Sequence, residues 1–203
     1  MSGLRDRKKR ETRQRLSDVA TALFYARGFD AVTVEEIAAA ANVSKVTVFN
    51  YFSRKEDLHF DRQDEVQHLL RDALTQRPKG QSPVEALRLL AHRLHEEKHP
   101  FARVDSQTIQ WWRVVMASPS LTARLREFGD EVVEQLAVLL AGPKPDGATR
   151  LFAGLFVQTW RSAYAEALRL FELGRSAKKA NAAFLVLVEQ GFAALRGMQA
   201  GRS

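Results

Sequence analysis

Residues 33–58 read TVEEIAAAANVSKVTVFNYFSRKEDL. The Thr33 hydroxyl can accept from a free amide at a helix start, and Glu36, three residues on, can reach back to the Thr33 amide: a capping box. Ile37, Ala38 and Ala41 follow on one face, and Asn42 tolerates the left-handed backbone that stops a helix. Ser44 then caps a second short helix, Lys45 to Tyr51, from which Val48 and Phe52, at i and i+4, face inward together. Two short helices across the turn Asn42, Val43, Ser44 predict a helix-turn-helix. Ala38 and Ala41 are small enough for a close crossing, and Ile37, Val43, Val48 and Phe52 supply the apolar contacts that fix it. Lys45, Val46, Thr47, Phe49, Asn50 and Tyr51 are left wholly or partly outward, at the start of the helix that such motifs seat in a major groove.

Those outward side chains suit a duplex. Lys45 can reach guanine acceptors or phosphate, Thr47 and Asn50 can hydrogen-bond base edges or backbone, and Val46 can pack against a thymine methyl. Val43 to Lys55 holds three bases and no acid. Ser53 and Glu56 read as a second capping box, which predicts a fourth helix through Leu58, Val66, Leu69, Leu70 and Leu74. Free amides at the helix starts near Thr33 and Ser53, with Lys55 at the second, would favour phosphate oxygens.

N-terminal to this stretch, Leu16, Val19, Ala20, Leu23 and Phe24 form the apolar stripe of an amphipathic helix. Gly28 ends it, and Phe29 can fold back on the last turn. Ahead of the stripe lies a basic arm. Arg5, Arg7, Lys8, Lys9, Arg10, Arg13 and Arg15 against Asp6 and Glu11 give +5 of the chain's formal net charge of +7. Clustered charge of this kind favours a polyanion.

The remainder of the 203 residues is also helical in pattern, with no alternating strand. Arg77 to Pro83 breaks the chain, and helices follow over about 83–98, 104–117, 119–141, 148–173 and 177–198, the last two separated from the others by the Pro- and Gly-containing loop 142–147. Both last helices are apolar on more than one face, which predicts burial on two sides. The chain has no Cys, which excludes disulfides, Cys-based metal sites and a thiol nucleophile. No apolar run exceeds seven residues and none follows the basic N-terminus, so the expectation is a cytoplasmic protein with no membrane segment and no secretion signal. Neither a Gly-rich phosphate loop nor a nucleophile elbow is present, so no enzyme is expected, and no cofactor. His92, His95, Glu96 and His99 fall at i, i+3, i+4 and i+7, a spacing that could serve a metal. That face lies opposite Leu87, Leu90 and Leu94, so it is read as solvated and no metal site is assigned.

The run Thr33 to Leu58, preceded by Arg27-Gly28-Phe29, resembles the signature of the tetracycline-repressor (TetR) family of bacterial transcription regulators. Asn42 stands where the family usually has Gly, and Phe49 where Tyr is common, which would remove a phosphate-contacting hydroxyl. The resemblance implies an all-α fold of about nine helices: a three-helix helix-turn-helix DNA-binding domain over 1–56 and a helical ligand-binding and dimerisation domain over 57–203. Carried onto this sequence, the DNA contacts would be Thr33, Ser44, Lys45, Val46, Thr47, Phe49, Asn50, Tyr51 and Lys55. It further implies a homodimer through the last two helices on a palindromic double-stranded operator, and a small-molecule inducer, expected to be hydrophobic, that releases a repressor. Trp111, Trp112 and Met116, with Gln158, Thr159, Trp160 and Tyr164, combine apolar surface with polar handles and are the candidate pocket. The alternative is an architectural DNA-binding protein, or an activator, without an inducer.

Overall fold

The computed structural model describes residues 3–200, less the side chains of Leu4, Arg5, Gln199 and Ala200. Arg5 of the basic arm therefore lies, as a side chain, outside the described residues. Nine α-helices are present among the described residues: α1 (Gly3–Arg27), α2 (Val34–Ala40), α3 (Lys45–Tyr51), α4 (Gln63–Thr75), α5 (Pro83–Glu96), α6 (Ser106–Ala117), α7 (Pro119–Ala141), α8 (Gly147–Glu172) and α9 (Ala177–Ala200). Two 3₁₀ turns, Lys55–Leu58 and Pro100–Ala102, complete the set. The all-α class follows from the periodicity, and the helices of the second half begin and end within a few residues of their sequence signals. Contacts divide the chain into two compact units. One holds the residues up to Asp64 with Gln110–Leu125, and the other Glu65–Ile109 with the residues from Arg126 on.

The first unit is organised around the helix-turn-helix. Leu16, Ala20 and Phe24 of α1 are buried with Ile37 and Ala38 of α2, Val48 of α3, Phe52, Leu58 and Phe60, and with Val114, Val115 and Leu121. Each large side chain so buried is worth about 1.5–3 kcal/mol. Gly28 adopts φ 82° and its amide donates to the Phe24 carbonyl at 2.9 Å, closing α1 in a conformation that a Cβ would disfavour. Asn42 at φ 53° does the same for α2.

The predicted fourth helix is corrected here. Ser53 does not cap a helix: Lys55–Leu58 is a 3₁₀ turn with Arg54 at the N-cap and no side-chain cap, and α4 begins only at Gln63. The cause is burial. Leu58, His59 and Phe60 are all buried, and on a continuous helix positions 58 and 60 would lie about 200° apart, on opposite faces. The chain leaves the helix so that consecutive side chains can enter one core. The Ser17 hydroxyl donates to the Leu58 carbonyl at 3.3 Å and to the Asp61 carboxylate at 2.6 Å.

In the second unit α8 and α9 pack as an antiparallel pair joined by a short loop. Phe156 meets Phe192 with ring centroids 6.1 Å apart, and Phe184 meets Trp160 and Tyr164 at 5.8 and 5.2 Å. Gly191 of α9 lies against Thr159 of α8, whose side chain an added Cβ would overlap. The segment around the second 3₁₀ turn is held by side chains from three helices. His95 Nδ1 bonds the Ala102 carbonyl at 2.9 Å, the Trp160 indole donates to the Phe101 carbonyl at 2.6 Å, and the Tyr164 hydroxyl donates to the Pro100 carbonyl. Asn181 receives the Val104 amide and donates to the Val104 carbonyl, both at 2.8 Å, standing in for a neighbouring strand. Burial pushes the Tyr164 hydroxyl's pKa up, so it stays protonated and available as a donor.

The histidine face is also corrected. It is not a solvated stripe, because each ring is half-buried against its own partner: His92 against Glu189 at 2.5 Å, His95 against Ala102, and His99 against Glu65 at 3.0 Å. Among the described residues no group of three or more His, Asp and Glu side chains is arranged to hold a metal.

Candidate nucleic-acid interface

The geometry of α3 is set at both ends. Ser44 Oγ accepts from the Thr47 amide at 3.1 Å and pairs with Thr47 Oγ1 at 2.9 Å, a cap worth about 1 kcal/mol. On α2 the full capping box forms: the Thr33 hydroxyl accepts from the Glu36 amide, and the Glu36 carboxylate accepts from the Thr33 amide at 2.8 Å. That amide and the Arg27 guanidinium, 2.7 Å away, hold the Glu36 carboxyl down at a pKa of about 2. The turn between the helices closes by Val43 N–H donating to Ala38 C=O at 2.9 Å.

With Val48 and Phe52 buried and Val43 and Tyr51 packed partly into the core, α3 can present only its other faces. Lys45, Val46, Phe49 and Asn50 are exposed, Val46 at 68% and Phe49 at 44%, and Thr47 is half-exposed. Two large apolar side chains this open on a seven-residue helix have no use in the unit's own packing. Lys45 pairs with Glu35 across the turn, and its ammonium lies 5.9 Å from the Phe49 ring centroid. That ion pair is exposed on both sides, so it holds Lys45 weakly and can be exchanged for a phosphate or base acceptor. The same pair holds the Glu35 carboxyl below the usual carboxylate range.

Lys45, Val46, Thr47, Phe49 and Asn50 thus form one outward surface, flanked by the caps Thr33 and Ser44. Lys55 stands apart. Its ammonium donates to the Phe29 carbonyl at 2.6 Å and lies 4.0 Å from the Phe29 ring centroid, and burial lowers its pKa. Tyr51 is half-buried, and its carbonyl receives the Arg13 guanidinium at 2.7 Å. Arg13 belongs to the basic arm in sequence, but the structure turns it into the unit. The arm itself is the first turns of α1, with Arg7, Lys8, Lys9, Arg10 and Arg15 exposed and Arg7 paired with Glu11 at 3.4 Å.

The candidate pocket residues do not come together within either unit. Trp111, Trp112 and Met116 belong to the first, where Trp111 stacks on His59 at 4.9 Å, meets Trp112 edge-on, and donates its indole N–H to the His59 carbonyl at 3.1 Å. Met116 is exposed. Gln158, Trp160 and Tyr164 belong to the second, where Gln158 is exposed and bonds Ser162 and the other two spend their donors on Phe101 and Pro100. A separate groove of about 490 Å³ opens in the first unit between the end of α1 and α6, with Phe24, Phe29 and Val114 among its walls and Arg27 and Arg113 at its edge. Nothing in the spacing of the sequence pointed to it, because its walls come from segments some 80 residues apart.

A capped seven-residue helix set across a three-residue turn on α2, with its polar and apolar outer face unclaimed by the core, defines the molecule as a helix-turn-helix protein on an all-helical body. Residues 16–60 match the family model described as bacterial regulatory proteins, tetR family. The chain is 32% identical over 144 residues to the HTH-type transcriptional regulator TcmR of Streptomyces glaucescens, covering 68% of this chain and 63% of TcmR, so it spans less than two thirds of that relative's length. Among solved structures, native NalD, the secondary repressor of the MexAB-OprM multidrug efflux pump in Pseudomonas aeruginosa, superposes with a TM-score of 0.58 at 19% identity, over 90% of this chain and 97% of NalD. The SmeT–triclosan complex gives a TM-score of 0.58 at 19% identity, over 91% of each chain. At such identities the structures speak for the fold. Over residues 16–60 the chain carries the segment that defines bacterial regulatory proteins of the tetR family, and beyond it the likeness is one of fold.

Proposed function

We propose that this protein is a sequence-specific, DNA-binding transcriptional regulator that represses as a homodimer on a palindromic operator and is released by a hydrophobic small molecule. The observation that carries the reading is the outer face of α3: Lys45, Thr47 and Asn50 offer donors and acceptors, and Val46 and Phe49 offer apolar contact for thymine methyls, on a helix anchored by Val48 and Phe52. Residues 1–56 serve as the DNA-binding domain and 57–203 as the dimerisation and ligand domain. Thr33, Ser44, Lys45, Val46, Thr47, Phe49, Asn50, Tyr51 and Lys55 make the duplex contacts, with Lys55 bound first to Phe29 and reaching phosphate only with its remaining donors.

The partner is a second copy. Leu151, Val186 and Leu155 stay 57%, 56% and 37% exposed on helices whose inner faces are buried, so α8 and α9 offer apolar surface for a twofold interface. Two heads then reach successive major grooves. The triclosan held by SmeT supports a hydrophobic inducer class, with Trp111, Trp112, Met116, Gln158, Trp160 and Tyr164 as the residues to vary. Among the described residues no helix is long and apolar enough to cross a membrane.

Selection of a duplex from a random-sequence pool by the full chain, followed by footprinting, tests the reading. A palindromic site is expected, and the folded Thr47→Ala/Asn50→Ala variant is expected to lose it by about 2–6 kcal/mol at roughly 1–3 kcal/mol per base contact. An unchanged footprint would overturn the assignment. A footprint that no hydrophobic compound relieves would favour an architectural protein.

A further inference from the structure

We propose that Arg13, although it lies in the basic arm, is a positioning residue that fixes the orientation of α3 and makes no phosphate contact of its own. The inference rests on the proposed reading of α3 as the base-reading helix. Along α1, Arg13 precedes Leu16, Ser17, Ala20 and Phe24 by three, four, seven and eleven residues, the spacing of one helical face, and those four side chains are all buried. Among the other described bases of the arm, Arg7, Lys8 and Arg15 fall off this face, and Lys9 and Arg10 share it one turn earlier, ahead of the buried stretch; all five are exposed.

What Arg13 meets on that face is the end of α3. Nη1 donates to the carbonyl of Tyr51, the last residue of α3, at 2.7 Å, and Nη2 reaches the Asp61 carbonyl at 3.4 Å. The guanidinium carbon lies 4.3 Å from the centroid of the buried Phe52 ring, the residue that closes α3. A helix C-terminus presents unpaired carbonyls and partial negative charge, and α3 carries no basic residue in its own last turn. Arg13 supplies that cation from another helix. The guanidinium fork holds the carbonyl at the end of α3 and the carbonyl that follows the 3₁₀ turn while its plane covers Phe52, so it ties both ends of the 52–61 connection to α1. Lysine could supply the charge but not the fork or the stacked plane.

A seven-residue helix is marginal by itself, so its angle to the duplex is set by such ties. A small rotation of α3 would misplace Thr47 and Asn50 relative to base edges and leave arm contacts to phosphate untouched. The signature is loss of discrimination without loss of non-specific attraction.

The test uses the full chain with the duplex it enriches from a random pool and a scrambled duplex of equal length and composition. Arg13→Lys keeps the charge and loses the fork; Arg13→Met keeps a stem over Phe52 and loses both. Both are expected to bind the enriched duplex about tenfold or more weakly, with scrambled-duplex affinity within about twofold and the salt slope of wild type. In the DNA-free protein, amide hydrogen exchange is expected to quicken at Val48 to Phe52 and not in α2. The proposal is overturned if Arg13→Lys binds like wild type while Arg13→Met loses affinity for both duplexes with a salt slope shallower by about one, the mark of a phosphate contact. Unchanged exchange in α3 overturns it as well. If wild type enriches no duplex, the DNA-binding reading fails by itself, and the exchange measurement still decides whether Arg13 holds α3.

Discussion

α3 and the α8–α9 pair both leave side chains facing outward that their own units do not use, and they do so in opposite chemistry. On α3 the outward set mixes Lys45, Thr47 and Asn50 with Val46 and Phe49; on α8 and α9 the large apolar side chains left open are Leu151, Leu155 and Val186, with Gln158, Arg161 and Ser162 exposed on α8 as well. Donors interleaved with methyl-sized apolar contacts suit the edges of base pairs, whereas a plain apolar strip suits another apolar strip. The anchoring differs as well. α3 is held by a cap, two buried side chains and the Arg13 fork, while α8 and α9 hold each other along most of their length through Phe156, Phe184 and Phe192 and the close approach at Gly191. A short helix that must present its side chains at a set angle relies on directional ties, and a long helix that must bury surface relies on area.

The comparison breaks most visibly at the apolar strip. Leu151→Glu with Leu155→Glu is expected to convert the dimer to a monomer in sedimentation velocity and to lower affinity for a palindromic duplex by about hundredfold or more, since two heads no longer bind as one. A dimer that persists would place the interface elsewhere. Next in size is an acid effect confined to the core beneath α3. Burial lowers the His59 pKa from 6.5 to about 4, with its Nδ1 lacking a hydrogen-bond partner. The unfolded chain takes up that proton first, so the stability is complete above about pH 6.5 and is lost as pH falls toward 4. The loss should amount to about 2–3 kcal/mol and should vanish in His59→Leu, measured by denaturant unfolding against pH.

Gly191→Ala sharpens the contrast within the long helices. Its Cβ would meet Thr159, so a loss of about 1–3 kcal/mol is expected by thermal unfolding. Gly154→Ala on α8, with nothing within 4 Å of the added Cβ, should instead be neutral or raise stability by up to about 1 kcal/mol. Smallest is the arm: Lys8→Gln with Lys9→Gln should reduce the salt slope of duplex binding by about one unit per contact removed, without changing the preferred sequence. A changed preference would mean that the arm reads bases.

Most of the fold was legible because the signals were local. Thr33 with Glu36, Gly28, Asn42 and Ser44 each act within a turn of themselves, and each does in the structure what its chemistry implies. The misread elements share a cause. Ser53 and Glu56 have the spacing of a capping box, but the demand to bury Leu58, His59 and Phe60 together overrode it. The histidines looked solvated on a helical wheel because Glu189, Glu65 and the Ala102 carbonyl reach them from distant parts of the chain. In the candidate interface, the residues that face outward were legible from the inward pair Val48 and Phe52. That Lys55 bends to Phe29 was not.

Caps, left-handed residues and apolar periodicity act over three or four residues, so the all-helical class, the helix ends other than the start of α4, and the outward face of α3 were legible in the sequence. The use of the described bases in the N-terminal cluster is set by the tertiary structure. Arg7, Lys8, Lys9, Arg10 and Arg15 are exposed while Arg13 is spent on Tyr51 and Phe52, because a guanidinium's partner is whatever carbonyl and ring the fold brings within about 3–4 Å, and those lie about 40 residues away.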